Sequence, residues 1–372
     1  MSRRHQINER FRRAALRKLP ALVILAALMP SCVPRVAGPP ADSLNPVEIL
    51  ERSPRTYHIR FEDIADKIET DRAALYLEGS LGAEFATDLL DTTEIGEVTD
   101  KDRALVEYGK AVRRFHGGAG RASLMHTRKA LELDPGYGPA YVLLGNLLLA
   151  QGRTEDALDL FSQVVRWDMT NSEALVGLAR CYMFAGQLDS ARHALVDAVI
   201  YDHVNLEAWR NLHVLGSIER FTVADHDVAE LGYVRKDRGR HYDIVIEDSL
   251  KDCPSKATAW IVFASERAVW RYEGKFKTTF GTTRYHRTYQ EDLDCFMALA
   301  AAWKILSQED STACEGGYLD YLSKVADDGF LVPHVLFDYV CLDDPLAARS
   351  FRPDVIDKMR AYVNTYILAR GG

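Results

Sequence analysis

The segments GPAYVLLGNLLLAQGRTEDALDLFSQVVRWDMTN (138–171) and SEALVGLARCYMFAGQLDSARHALVDAVIYDHVN (172–205) follow one pattern, written twice at a shift of 34 residues. The register extends to both sides. Ala140, Ala174 and Ala208 align, as do Asp134, Asp168 and Asp202, and Leu144, Leu178 and Leu212. The large residues Tyr141, Leu175 and Trp209 align as well, Gly152 pairs with Gly186, and Ala157 pairs with Ala191. Each unit holds two runs of helical apolar spacing, broken by Ala150-Gln151-Gly152 or Ala185-Gly186-Gln187. Gly145, Ala157 and Ala191 are small enough to let two helices approach, while Leu148, Phe161, Tyr182 and Leu195 fill the space between them. One hairpin cannot bury its apolar face alone, so a fixed period of this size predicts a solenoid of stacked helical hairpins over 104–236.

The pattern resembles the tetratricopeptide repeat family. Tyr141, Leu144-Gly145, Ala157 and Phe161 stand where that family has its large residue, its Leu-Gly pair, its Ala and its aromatic. The next unit keeps Tyr182, Gly186 and Ala191 but has Ala179 in place of the Gly, and the closing Pro is present only as Pro135. The unit before Pro135 is worn, and the glycines between Gly117 and Gly120 are read as lengthening its turn. The resemblance implies an all-α, right-handed helical-hairpin solenoid that binds partner proteins.

The N-terminus reads as a targeting segment over 1–31. Arg3, Arg4, Arg10, Arg12, Arg13, Arg17 and Lys18 precede an apolar run of nine residues from Ala21 to Met29, too short to span a bilayer. Ser31-Cys32 then resembles the cleavage site of a bacterial lipoprotein, which implies acylation of Cys32 and a periplasmic, membrane-anchored protein. Val33 is not an acidic retention signal, so by that resemblance the outer membrane is favoured over the inner. Pro34, Pro39, Pro40 and Pro46 make 32–56 an extended tether. The whole chain has a formal net charge of -8 despite its basic start, and so acidic a body argues against nucleic acid as a partner.

Residues 57–103 are expected to form a helical cap on the first repeat, with a helix beginning near Phe61 and Ile64. Residues 237–372 are expected to be helical. Pro254, Ala259, Trp260 and Phe263 echo Pro135, Ala140, Tyr141 and Leu144 at an offset of 119 residues, as degenerate repeats would. Tyr242 to Leu250 alternates like a strand, but the echo favours a helix. Further helices are expected over Ala257–Tyr272, Gln290–Leu306, Tyr318–Ala326, Val335–Val340 and Pro353–Ala369.

Two features of the C-terminal third bear on function. Arg271 to Gln290 interleaves Arg271, Lys275, Lys277, Arg284 and Arg287 with Tyr272, Phe276, Phe280, Tyr285 and Tyr289. That composition suits an acidic protein partner, an anionic lipid head group or the chain's own acidic surface; equally, it suits a long loop with its aromatics turned inward. Cys253, Cys295, Cys314 and Cys341 either pair into two disulfides, as an oxidising periplasm permits, or lie buried as thiols.

No Gly-x-Ser-x-Gly elbow, His-Glu-x-x-His or Walker loop occurs in the sequence. No cofactor, metal site or catalytic residue is expected. The reading that follows is a lipid-anchored envelope scaffold, an accessory or assembly subunit of a larger membrane complex. Its partner-binding residues are expected among Asn146, Arg180 and Asn211 on the first helices, and Lys275, Lys277, Arg284 and Arg287. The alternative is an envelope enzyme or glycan-binding protein with its site in the C-terminal third.

Overall fold

The computed structural model describes residues 45–64, 99–224, 228, 230–309 and 317–370. Cys32, the targeting segment, the expected cap helices beyond residue 64 and Cys314 lie outside the described residues. In chain order the first elements are α1 (Pro46–Arg52), β1 (Thr56–Glu62), α2 (Asp100–His116), α3 (Gly120–Leu133), α4 (Gly138–Ala150) and α5 (Thr154–Trp167). Next come α6 (Ser172–Phe184), α7 (Leu188–Tyr201), α8 (Leu206–Glu219), β2 (Phe221–Val223), β3 (Gly232–Lys236) and β4 (His241–Glu247). The remainder is α9 (Pro254–Tyr272), α10 (Lys275–Phe280), α11 (Tyr289–Glu309), α12 (Tyr318–Asp327), α13 (Leu331–Val335), α14 (Pro353–Tyr362) and β5 (Leu368–Arg370). Helices dominate, and the repeats form a right-handed solenoid of helical hairpins.

The described residues divide into two compact units, each built from two separate stretches: 45–64 with 228–343, and 99–224 with 344–370. The order expected from sequence, with cap, repeats and C-terminal region in succession, is therefore not the observed one.

In the repeat unit, α2–α3, α4–α5 and α6–α7 are the hairpins and α8 opens a fourth. Phe161 of α5 is fully buried and stands against two glycines. A Cβ on Gly145, in its own hairpin, would lie 2.6 Å from the ring; one on Gly177, in the next hairpin, would lie 2.4 Å away. One repeat later the ring is replaced by Leu195, and the two positions in register are Ala179 and Asn211. Large and small residues thus change together, as dense packing requires. The tight turns recur too. Gly118, Gly152 and Gly186 have φ of 71°, 76° and 73°, a conformation glycine adopts without steric cost. Because α3 begins at Gly120, 34 residues before Thr154, the glycine-rich turn is not lengthened, contrary to expectation.

The fourth turn falls at Arg220, again 34 residues on, and it keeps the left-handed conformation with φ 61°. Among the described residues no second helix follows directly. Phe221 instead folds back on Gly216, where an added Cβ would meet the Phe221 carbonyl oxygen at 2.6 Å, and β2 pairs antiparallel with β5 at the end of the chain. The returning segment also covers α7: α14 packs on it, and Arg360 bridges both carboxylate oxygens of Asp197 at 2.5 and 3.1 Å. That is why α7 is buried around most of its circumference, from Ala194 through Tyr201.

The other unit contains a sheet of order β1-β4-β3, with β1 parallel and β3 antiparallel to the central β4. Tyr242 to Leu250 is therefore a strand followed by a short turn of helix, not the helix favoured from sequence. Tyr242, Ile244 and Ile246 alternate with a second buried set, Asp243 and Val245, because β4 is buried on both faces. Phe61 lies in β1, so no helix begins there. Helix α9 lies on this sheet, and the 119-residue echo does not continue the solenoid. The last expected helix, 353–369, is present as α14 and continues with π-helical pitch over Val363–Ile367; only its end differs, where Leu368–Arg370 is β5.

Candidate functional site

The first helices α4, α6 and α8 lie side by side, one per hairpin, and present one continuous face. Register decides what that face carries. Asn146 and Arg180 occupy equivalent places, and the Arg180 guanidinium donates to Asn146 Oδ1 at 3.5 Å. The residue in line with them on α8 is Val214, not Asn211. Asn211 instead turns onto its own helix, its amide nitrogen donating to the Glu207 carbonyl at 2.7 Å. One turn further along, Phe184 on α6 is in register with Ile218 on α8.

Phe184, Val214 and Ile218 are 72%, 51% and 53% exposed, unusually open for large apolar side chains in register on neighbouring helices. Arg180 is half-buried among them, and among the described residues no carboxylate pairs with it. An unpaired guanidinium beside exposed aromatic and aliphatic groups suits an anchor with one apolar and one acidic group. Sequence reading missed Phe184, Val214 and Ile218. Adding one period to Arg180 and to Phe184 would have found the last two.

The basic stretch before α11 behaves differently. Arg287 is buried, its Nε donating to Asp292 at 2.9 Å and its Nη2 to Glu230 at 2.7 Å, with Tyr339 also bonded. Arg267 completes this cluster, reaching Glu291 at 3.1 Å, Asp292 at 2.9 Å and Glu230 at 3.3 Å. Burial pushes the Glu291 carboxyl up, and Tyr285 donates to it at 2.9 Å. Lys275 is paired with Glu266 and with Asp294, 2.7 Å away. Burial alone would lower the Lys275 amine, but these two carboxylates raise it. Arg287 and Lys275 are thus internal counter-ions rather than partner contacts; the chain's own acidic residues claimed them. Lys277 and Arg284 remain exposed.

Cys181, Cys295 and Cys341 are buried as thiols, which corrects the pairing considered for the last two. Burial pushes the Cys181 thiol up to about 11 and Cys295 well above its ordinary range, so neither is a reactive nucleophile at neutral pH. Cys253 is disulfide-bonded. A cleft of about 470 Å³ in the repeat unit is lined by Arg192, Phe221, Asn364, Thr365 and Leu368. Among the described residues no group of three or more His, Cys, Asp or Glu is arranged to hold a metal, and no helix is long and apolar enough to cross a membrane.

A tetratricopeptide repeat family model matches residues 119–168 and 148–214. No curated protein matches the chain. Among solved structures it is similar to the Arabidopsis OM64 TPR domain, at 13% identity over 32% of this chain and 98% of that one, with a TM-score of 0.30. It is also similar to the first TPR of Spaghetti (RPAP3) bound to an HSP90 peptide, at 16% identity, 33% and 98% coverage and a TM-score of 0.30. A tetratricopeptide repeat protein from Parabacteroides merdae is similar at 12% identity, 70% and 99% coverage and a TM-score of 0.27. The repeat assignment rests on the family match and on the hairpin geometry. A fold of this kind suits protein–protein interaction.

Proposed function

Because residues 119–214 are tetratricopeptide repeats, we propose that this protein is a lipid-anchored scaffold of a bacterial cell envelope. Acylation at Cys32 holds it to the outer membrane on the periplasmic side. The segment between Cys32 and α1 sets its distance, shorter than the extended tether expected to residue 56 because Pro46–Arg52 is a helix packed on α9. The face of α4, α6 and α8 binds a partner protein within a larger membrane complex. The observation that carries the partner reading is Arg180, without a carboxylate, beside exposed Phe184, Val214 and Ile218. A partner segment with a large apolar side chain and an acidic group would satisfy both features.

Two experiments test the two halves. Changing Cys32→Ala is expected to abolish acylation and release the protein from the membrane fraction; an acylated, membrane-bound variant would overturn the anchor. Purification from solubilised envelopes, followed by mass spectrometry, is expected to recover a stoichiometric partner that Arg180→Glu with Phe184→Ser loses. A partner retained by that double variant would place binding elsewhere.

A further inference from the structure

The loops joining one hairpin to the next carry an apolar edge separate from the first-helix face. Trp167 and Met169 precede α6 and are 52% and 59% exposed; Val204 and Leu206, 54% and 67% exposed, stand at the start of α8. The two loops are tied together, with Ser172 Oγ donating to Asp202 at 3.0 Å and Asn205 donating to Ser172 Oγ at 3.0 Å. Leu346, 46% exposed, joins them because the His203 amide donates to the neighbouring Pro345 carbonyl at 3.2 Å. Loop tips are ordinarily polar. Here large side chains occupy an outer edge.

What these loops do with their polar groups narrows the medium they suit. Asp168 accepts the Thr170 amide at 2.9 Å and its hydroxyl at 2.7 Å, and the Asn171 amide reaches the Asp168 carbonyl at 3.2 Å. In the next loop the Asn205 amide reaches the Asp202 carbonyl at 3.1 Å, while Asn205 Oδ1 accepts the Glu207 and Ala208 amides at 3.1 and 3.0 Å. The carbonyls of Pro135 and His203 are taken by the Tyr141 hydroxyl and the Trp209 indole, at 3.0 and 2.7 Å. Backbone satisfied in this way loses little on leaving water, the condition for entering a lipid interface. Indole and aliphatic groups at loop tips suit that interface. The exposed border carries both signs, Arg166, Arg210 and Arg349 with Asp168, Glu173 and Glu207, so zwitterionic head groups fit it better than strongly anionic ones.

We propose that this edge docks on a membrane surface, with Trp167, Met169, Val204, Leu206 and Leu346 entering the interfacial layer. The anchor reading supplies only proximity to the bilayer. The test uses the mature protein in phosphatidylcholine vesicles whose acyl chains are brominated near the head group. Trp260, Trp270 and Trp303 are buried, which leaves Trp167 as the most open indole among the described residues.

Tryptophan quenching is expected, largely lost in Trp167→Phe and reduced by roughly half or more in Met169→Ser with Leu206→Ser. It should be insensitive to salt. Absence of quenching, or quenching unchanged by Trp167→Phe, overturns the proposal. So does loss of a co-purifying protein in the Ser variants when the parent shows no quenching, which would assign the edge to that protein. Acylation of Cys32 is read separately by mass spectrometry. If it is absent, vesicles added to the soluble protein give the same quenching readout, so edge and anchor stand or fall independently.

Discussion

The Phe161 ring lies so close to the backbone of Gly177, in the following hairpin, that a methyl group there would come within 2.4 Å of it. One side chain thus couples two repeats. Helix propensity alone would favour Gly177→Ala by about 1 kcal/mol. The clash is expected to reverse that sign, with a net loss of about 1–3 kcal/mol. Adding Phe161→Leu should relieve the clash and give a coupling of about 0.5–3 kcal/mol in a double-mutant cycle read by urea denaturation. Strict additivity would show that the two residues do not share a packing site.

Arg220 holds the left-handed turn that glycine holds in the three preceding repeats. Arg220→Gly should therefore raise stability by up to about 1 kcal/mol, the relief of strain exceeding the added flexibility of the unfolded chain. Arg220→Ala keeps the Cβ and should bring no such gain. Equal melting temperatures for both variants would refute the account.

Arg287 and Lys277 lie ten residues apart in one basic stretch, yet only Arg287 is buried with its counter-ions. Arg287→Met leaves Glu230 and Asp292 short of a cation, and a loss of about 3–5 kcal/mol is expected. Lys277→Ser should stay within about 0.5 kcal/mol. Thermal melts of the two variants separate these outcomes.

Glu107 on α2 receives Lys110 at 2.8 Å, His126 at 2.7 Å and Lys129 at 3.4 Å. The Lys110 bond first, then His126, depress its carboxyl from 4.5 to about 2. A depressed acid stabilises the fold above its unfolded value, and that contribution disappears as pH falls from about 4.5 to about 2. Glu107→Gln should therefore lower stability at neutral pH and converge with the parent near the bottom of that window. A constant difference across it would assign the effect to packing.

The solenoid was legible because Ala140, Ala174 and Ala208 repeat a local requirement, the close approach of two helices, at a fixed interval. The turn at Arg220 keeps the same 34-residue register, although the residue there is no longer a glycine and so gave no signal. Other features were decided by residues far along the chain. Tyr242 to Ile246 became a strand because β1, nearly two hundred residues earlier, pairs with it. Whether Arg287 faces solvent or Glu230 depends on a carboxylate 57 residues away, which composition does not reveal. The open face was half legible: Arg180 was found, while Phe184 and Val214 were not singled out, because an apolar residue in a repeat carries no mark in the sequence of which side it faces.

The interleaving of the two units also sets the order in which the chain can mature. Strand β1 is made early, but its parallel neighbour β4 follows only after the repeats, and β2 must wait for β5, which is made after the whole sheet. The hairpins can stack on local contacts as they emerge, while the sheet closes across a large sequence separation and does so late. No single cut frees either unit. A fragment ending before β3 keeps the hairpins but strips α7 of its cover, and one starting at β3 loses β1. Deletion series designed on the linear map would yield aggregation-prone pieces, whereas a nicked chain with both halves retained would remain assembled.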